Sequence, residues 1–169
     1  MIAGTSSGNS SDYRNDVMYG TTNDDWTYAA TNGTAAFSQR RGHSSVVFDG
    51  KMWVIGGKDA NGLLNDVWYS DDGTTWTEAT ANADFPAREQ HISEVFGGKM
   101  WVISGDSGGG TEMNDVWSST DGVNWIEEYT NAAFTPRRFA ASAVFDDKLW
   151  IIAGYDNVTG YVTDVWYME

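Results

Sequence analysis

The chain repeats itself about every fifty residues. Asn15-Asp16-Val17-Met18 recurs as Asn65-Asp66-Val67-Trp68, Asn114-Asp115-Val116-Trp117 and Thr163-Asp164-Val165-Trp166, in steps of 50, 49 and 49 residues. A fixed period of this length marks an architecture built by stacking one supersecondary unit. It also directs the search for function. A residue present in every copy is explained first by packing, which every copy needs. Function is then to be sought where the copies differ.

Other columns keep the same period. Arg40, Arg88 and Arg137 form one, Trp53, Trp101 and Trp150 another, and Gly57, Gly105 and Gly154 a third. All nine tryptophans fall into three columns, so none is left over as an obvious ligand platform.

One unit, 42–80, shows what is being repeated. Ser44 to Phe48 is a short run rich in β-formers, and Asp49-Gly50 is a tight-hairpin signal. Met52-Trp53-Val54-Ile55 is too continuously apolar for a strand with one solvated face, so it should be buried on both sides, and Trp53, Trp101 and Trp150 are all expected to be largely buried between strands. Gly56-Gly57 is expected to end that strand. A variable loop follows, then a third strand over Asp66 to Ser70, a turn at Asp71-Asp72-Gly73, and a fourth strand from Trp76 to Ala79. A four-stranded sheet with two apolar faces must stack on copies of itself, and radial stacking gives a β-propeller.

The Gly56-Gly57 doublet, the strand-three aromatic Trp68 and the tryptophan eight residues on, Trp76, together resemble the kelch-repeat propellers of bacterial proteins. Pro86-Ala87-Arg88 followed by His91 is similar to the kelch lead-in to the innermost strand. The resemblance covers the whole chain and implies a fold far more than a function, because such propellers serve unrelated roles. The doublet departs from the pattern at Ser104-Gly105, Ala153-Gly154 and Ala3-Gly4. The turns Ser70-Asp71-Asp72-Gly73-Thr74-Thr75-Trp76 and Ser119-Thr120-Asp121-Gly122-Val123-Asn124-Trp125 resemble a shortened Asp-box, a structural turn of sialidase-like propellers.

The fold class expected is therefore all-β, a partial propeller of about three and a half four-stranded blades. Residues 1–31 form a blade lacking its first strand, 32–81 and 82–130 two full blades, and 131–169 a blade lacking its fourth. The expectation is a piece of a longer propeller, with self-association of a partial ring as the alternative.

Composition narrows the partners. With 24 acidic against 10 basic residues the net charge is −14, which opposes nucleic acid and anionic membranes. No stretch reaches the roughly 18 apolar residues of a membrane span. The chain contains no cysteine, which removes disulfides, thiolate metal sites and cysteine nucleophiles.

The repeated polar residues are expected to be structural: one arginine per blade faces one aspartate per blade (Asp16, Asp66, Asp115, Asp164) in repeated ion pairs. His43 and His91 share a column but lack a third ligand, the turn aspartates Asp71, Asp72 and Asp121 read as turn formers, and no catalytic triad or carboxylate pair stands out. Neither cofactor nor metal is expected.

What remains is the set outside the columns. The loops between second and third strands (5–14, 58–64, 106–113, 155–162) vary while the strands do not. Tyr13, Tyr155 and Tyr161 lie there. Phe139 replaces Gly42 and Gln90, and Arg41 and Arg138 are extra basic residues on the same face. These six are the candidate binding residues, for a protein or a glycan. The function expected is a non-enzymatic binding or structural module. The alternative is a carbohydrate-active propeller enzyme whose catalytic residues lie in further blades. The kelch resemblance and the lysine-poor, Thr/Asn/Gly-rich composition point to an extracellular or bacterial cell-surface setting.

Overall fold

The computed structural model describes residues 2–5, 13–21 and 25–169. Among them it forms four antiparallel sheets and no helix. The first sheet holds β1 (Ile2–Thr5), β2 (Tyr13–Gly20) and β3 (Trp26–Ala30). The second holds β4 (Ser44–Phe48), β5 (Lys51–Lys58), β6 (Leu63–Ser70) and β7 (Thr77–Thr80) in sequence order. The third repeats this with β8 (Ile92–Phe96), β9 (Lys99–Asp106), β10 (Glu112–Ser119) and β11 (Ile126–Tyr129). The fourth has β12 (Ala141–Phe145), β13 (Lys148–Asp156) and β14 (Gly160–Met168). The innermost strands β4, β8 and β12 neighbour one another, as blades around a channel require.

Three apolar layers fill the spaces between successive blades. Trp53, Ile55, Val67, Phe85, Met100, Val102 and Trp125 form the layer between the second and third sheets. Val17, Phe37, Val54 and Trp76 lie on one side of it, and Ile103, Phe134, Leu149 and Ile151 on the other. Trp76 and Trp125 cap their own turns, each donating its indole N–H to the carbonyl of Gly73 or Gly122. Gly122 is obligatory because a Cβ there would lie 2.2 Å from the Trp53 ring of the preceding blade.

Two expectations need correction. Gly56-Gly57 does not end the second strand: β5 runs on to Lys58, and the doublet forms a bulge at which the β5–β6 register shifts. Pairing resumes beyond the bulge, so β6 starts at Leu63 and the loop shrinks to 59–62. The same happens in the next two blades. Tyr155 and Tyr161 accordingly stand at strand ends, directly paired across β13 and β14, and Tyr13 opens β2. Most of the loop expected over 5–14 lies outside the described residues.

Trp150 is the second correction. Trp53 and Trp101 are buried, but Trp150 is only half-buried. The reason is position: no described sheet covers the outer face of the fourth. Ile55 and Ile103 are 0% exposed whereas their counterpart Ile152 is 37% exposed, and Phe145 and Tyr167 are also exposed.

Candidate functional site

The repeated arginines are consumed by the scaffold. Each sits at the lead-in to its blade and binds the strand-three aspartate of that blade through two parallel bonds: Arg40 to Asp66 (2.7 and 2.7 Å), Arg88 to Asp115 (2.8 and 2.6 Å), Arg137 to Asp164 (2.7 and 2.8 Å). Each also donates to a carbonyl in the bulge, Gly56, Ser104 or Ala153, and lies over a phenylalanine, Phe37, Phe85 or Phe134. The guanidinium is fully buried in all three, where unmatched donors are costly, and its fork geometry fits the carboxylate through two parallel bonds. Trp68, Trp117 and Trp166 add an indole N–H to the same carboxylates. Arg137 holds the Asp164 carboxyl down at about 2.

The asparagine beside Asp16, Asp66 and Asp115 looks the other way. Asn15, Asn65 and Asn114 donate to two carbonyls each in the segment leading to the next blade: Ala35 and Phe37, Ala83 and Phe85, Ala132 and Phe134. The phenylalanine column and this asparagine latch were not singled out from the sequence. The signal was present, since both recur at the fifty-residue period.

The candidate residues gather on the face where the lead-in segments pair with the ends of the second strands. Backbone bridges Arg41–Lys58, Glu89–Asp106 and Arg138–Tyr155 make this pairing in successive blades. Four of the six candidates form one contact group. The Arg138 guanidinium carbon is 5.1 Å from the Tyr155 ring centre and 5.6 Å from that of Phe139, and Tyr155 and Tyr161 meet edge to face at 5.4 Å. Tyr161 is 87% and Phe139 63% exposed. The remaining two, Arg41 and Tyr13, pair with each other at 5.7 Å, apart from that group.

Phe139 is displayed against its own backbone preference. It adopts φ of 56°, in a column where Gly42 has 60° and Gln90 62°. This left-handed geometry is disfavoured for a bulky side chain. It is enforced by a backbone relay on the channel side, in which Gln90 N–H donates to Gly42 and Phe139 N–H to Gln90.

Carboxylates that the sequence did not flag complete the face. Glu89 occupies the column of Arg41 and Arg138 with the opposite charge, and its partners are the preceding blade's Lys58 (3.8 Å) and Arg41 (3.4 Å). Arg138 pairs likewise with Asp106 (2.7 Å) and Glu112 (3.3 Å) of the preceding blade. The sign of the column residue and that of its partners invert together, a signal visible only once the blades are superposed.

Asp106 and Asp156 also cap their loops, accepting backbone N–H groups from Gly108 and from Val158 and Thr159. The Thr159 hydroxyl and N–H hold the Asp156 carboxyl below the usual range.

The turn face offers less. Asp72 and Asp121 are occupied by their own turns, accepting from Thr74 and Thr75 and from Val123 and Asn124. Partial burial pushes Asp121 up, but these bonds outweigh it and hold the carboxyl at about 2. Among the described residues no group of three His, Asp or Glu side chains is placed to hold a metal ion. His91 is buried between blades, its Nε2 2.7 Å from the Ser44 hydroxyl. Burial, then the nearby Arg88 and His43, lowers it to about 3, so it is neutral near pH 7.

The comparisons agree with this geometry. No curated protein matches the chain. The sequence profile of the KLHDC2/KLHL20/DRC7 Kelch-repeats domain matches residues 1–169, the full length of the sequence. With its blades, bulges and arginine latches in register, the chain belongs to the kelch-repeat family.

Proposed function

We propose that this chain is a non-enzymatic protein-binding scaffold that contacts its partner through the face bearing Phe139, Tyr155, Tyr161 and Arg138. The observation that supports it is the contrast in use. The repeated polar residues are saturated by one another, whereas the non-repeated ones form a contiguous group with two exposed rings. Exposed, rigid aromatics beside an arginine are the composition of an energetic centre in protein interfaces. The apolar outer face of the fourth sheet is a separate matter, and we assign it to further blades or a second copy continuing the stack. An extracellular or cell-surface setting belongs to the same proposal and rests on composition and family likeness.

The test is a pull-down with the chain as bait, compared with a Tyr155→Ala/Tyr161→Ala double variant. A partner held by the parent and lost by the variant, with the thermal midpoint nearly unchanged, supports this function. Capture that survives the double variant, or that is lost only with changes at Gly50 and Gly73 on the turn face, rejects it.

A further inference from the structure

The charge beside the exposed rings is unbalanced. Among the described residues Arg138 is the one cation in contact with Asp106 and Glu112, so two carboxylates share a single guanidinium. Asp106 is satisfied, accepting a hydrogen bond from Arg138 Nη1 and another from the Gly108 N–H. Glu112 is not. Its side chain is only 6% exposed, its Oε1 lies 3.3 Å from Arg138 Nη1 without a hydrogen bond, and that oxygen has no other hydrogen-bond partner. A buried carboxylate oxygen lacking a donor leaves strong negative potential in a medium that screens it poorly. At the other end of the face the balance reverses, with Arg41 and Lys58 both facing Glu89.

Phe139 and Tyr155 adjoin this excess charge through Arg138, and Tyr161 joins them through Tyr155. Arg138 shows what such rings accept, because its guanidinium already lies over two of them. The outward-facing ring surface, chiefly that of Tyr161 and Phe139, remains open to solvent. A cation placed over an aromatic face is attracted by the ring quadrupole, and a nearby buried carboxylate adds to the attraction.

We propose that the Phe139–Tyr155–Tyr161 group docks a basic segment of a protein partner, seating an arginine or lysine side chain on the ring faces beside the Arg138–Glu112 pair. This inference rests on the loop-face function and adds the partner's chemistry to it. An acidic segment would meet the same carboxylate excess with the wrong sign. The strained backbone at Phe139 fits a residue kept for contact, because glycine would occupy that conformation without penalty.

Calorimetric titration with three acetylated, amidated octapeptides tests it: glycine alternating with arginine, with glutamate or with serine. The arginine peptide is expected to bind, with the other two silent. Tyr161→Ala, Phe139→Gly and Glu112→Gln should each weaken it, on the order of tenfold. Phe139→Gly should at the same time raise the thermal midpoint, which a purely structural role for that ring would not allow. Asp71→Ala, on the turn face, should change nothing and so exclude a general attraction to an acidic protein. The proposal is overturned if no peptide binds, if the three ring and carboxylate variants bind the arginine peptide like the parent, or if Asp71→Ala weakens it equally. A preference for the glutamate peptide that Tyr161→Ala abolishes would also overturn it, yet would leave the loop-face function standing. Loss of all dependence on Tyr161 in both this titration and the pull-down removes both.

Discussion

Arg137 and Arg138 are adjacent in the chain and opposite in use. The Arg137 guanidinium is fully buried, with donors spent on Asp164, Ala153 and Thr135 and Phe134 against its face. Arg138 is 21% exposed, shares two carboxylates and lies under two aromatic rings that reach solvent. Successive residues of an extended segment point to opposite sides, so one step along the chain separates scaffold from surface. The column to which a residue belongs, not its type, decides what it does.

The largest test of that contrast is to remove each arginine in turn. Arg88→Met should lower unfolding free energy by about 3–5 kcal/mol in a denaturant titration, because it strands the buried Asp115 carboxylate. Arg137→Met should cost less, about 1–3 kcal/mol, since Asp164 is 40% exposed and water can replace its partner. Arg138→Met should cost about 3–5 kcal/mol as well, because it strands Asp106 and Glu112, whose side chains are 8% and 6% exposed. The contrast between Arg137 and Arg138 then lies in binding: Arg138→Met should lose the partner in the pull-down and Arg137→Met should keep it, and equal capture by the two variants would break the comparison.

Acidification sharpens it from another side. His91 in the fold is held neutral until its lowered pKa of about 3, whereas in the unfolded chain it titrates near 6.5. Below pH 6.5 the unfolded state therefore binds the extra proton. Its contribution is intact above pH 6.5 and lost progressively as pH falls toward 3, with a slope of up to about 1.4 kcal/mol per pH unit. Denaturation of the parent and of His91→Gln at pH 7, 6 and 5 should show that slope reduced in the variant. Parallel curves would mean that His91 is not the group responsible.

The smallest effect has the opposite sign. Ala153 holds φ of 56° in the first position of the bulge, where the second blade has Gly56. Ala153→Gly should raise stability by about 0.5–1 kcal/mol by thermal melting. A decrease would show that the bulge tolerates alanine without strain.

Much of this was legible in the sequence because repetition does the work of an alignment. The period placed the strands, and the arginine and aspartate columns foretold ion pairs that the structure contains. The Gly56-Gly57 doublet misled because two glycines in a row read as a strand end. Their actual role is a bulge, in which a Cβ at the second would lie 2.7 Å from the Arg41 carbonyl. That close approach explains why Gly57, Gly105 and Gly154 persist while the first position drifts to Ser104 and Ala153. Glu89 and Glu112 escaped notice because their meaning lies in a charge relation across blades, which no local spacing carries. The burial of Trp150 was overestimated by extending to the last blade what neighbours supply to the inner ones.

Asn65 and Asp66 sit side by side but serve different blades. The asparagine fastens carbonyls 18 and 20 residues ahead, and each aspartate answers an arginine 26 or 27 residues behind it. Every fastening is therefore shorter than one repeat. A cut made between Phe85 and Arg88, and again at the same place in the next copy between Phe134 and Arg137, would release a unit with none of these latches severed. Inserting or deleting such a unit leaves each remaining latch with its partner. A gene carrying this arrangement can lengthen or shorten its array by unequal recombination while keeping every arginine and asparagine latch, so that only the non-repeated contacts between blades have to be matched afresh.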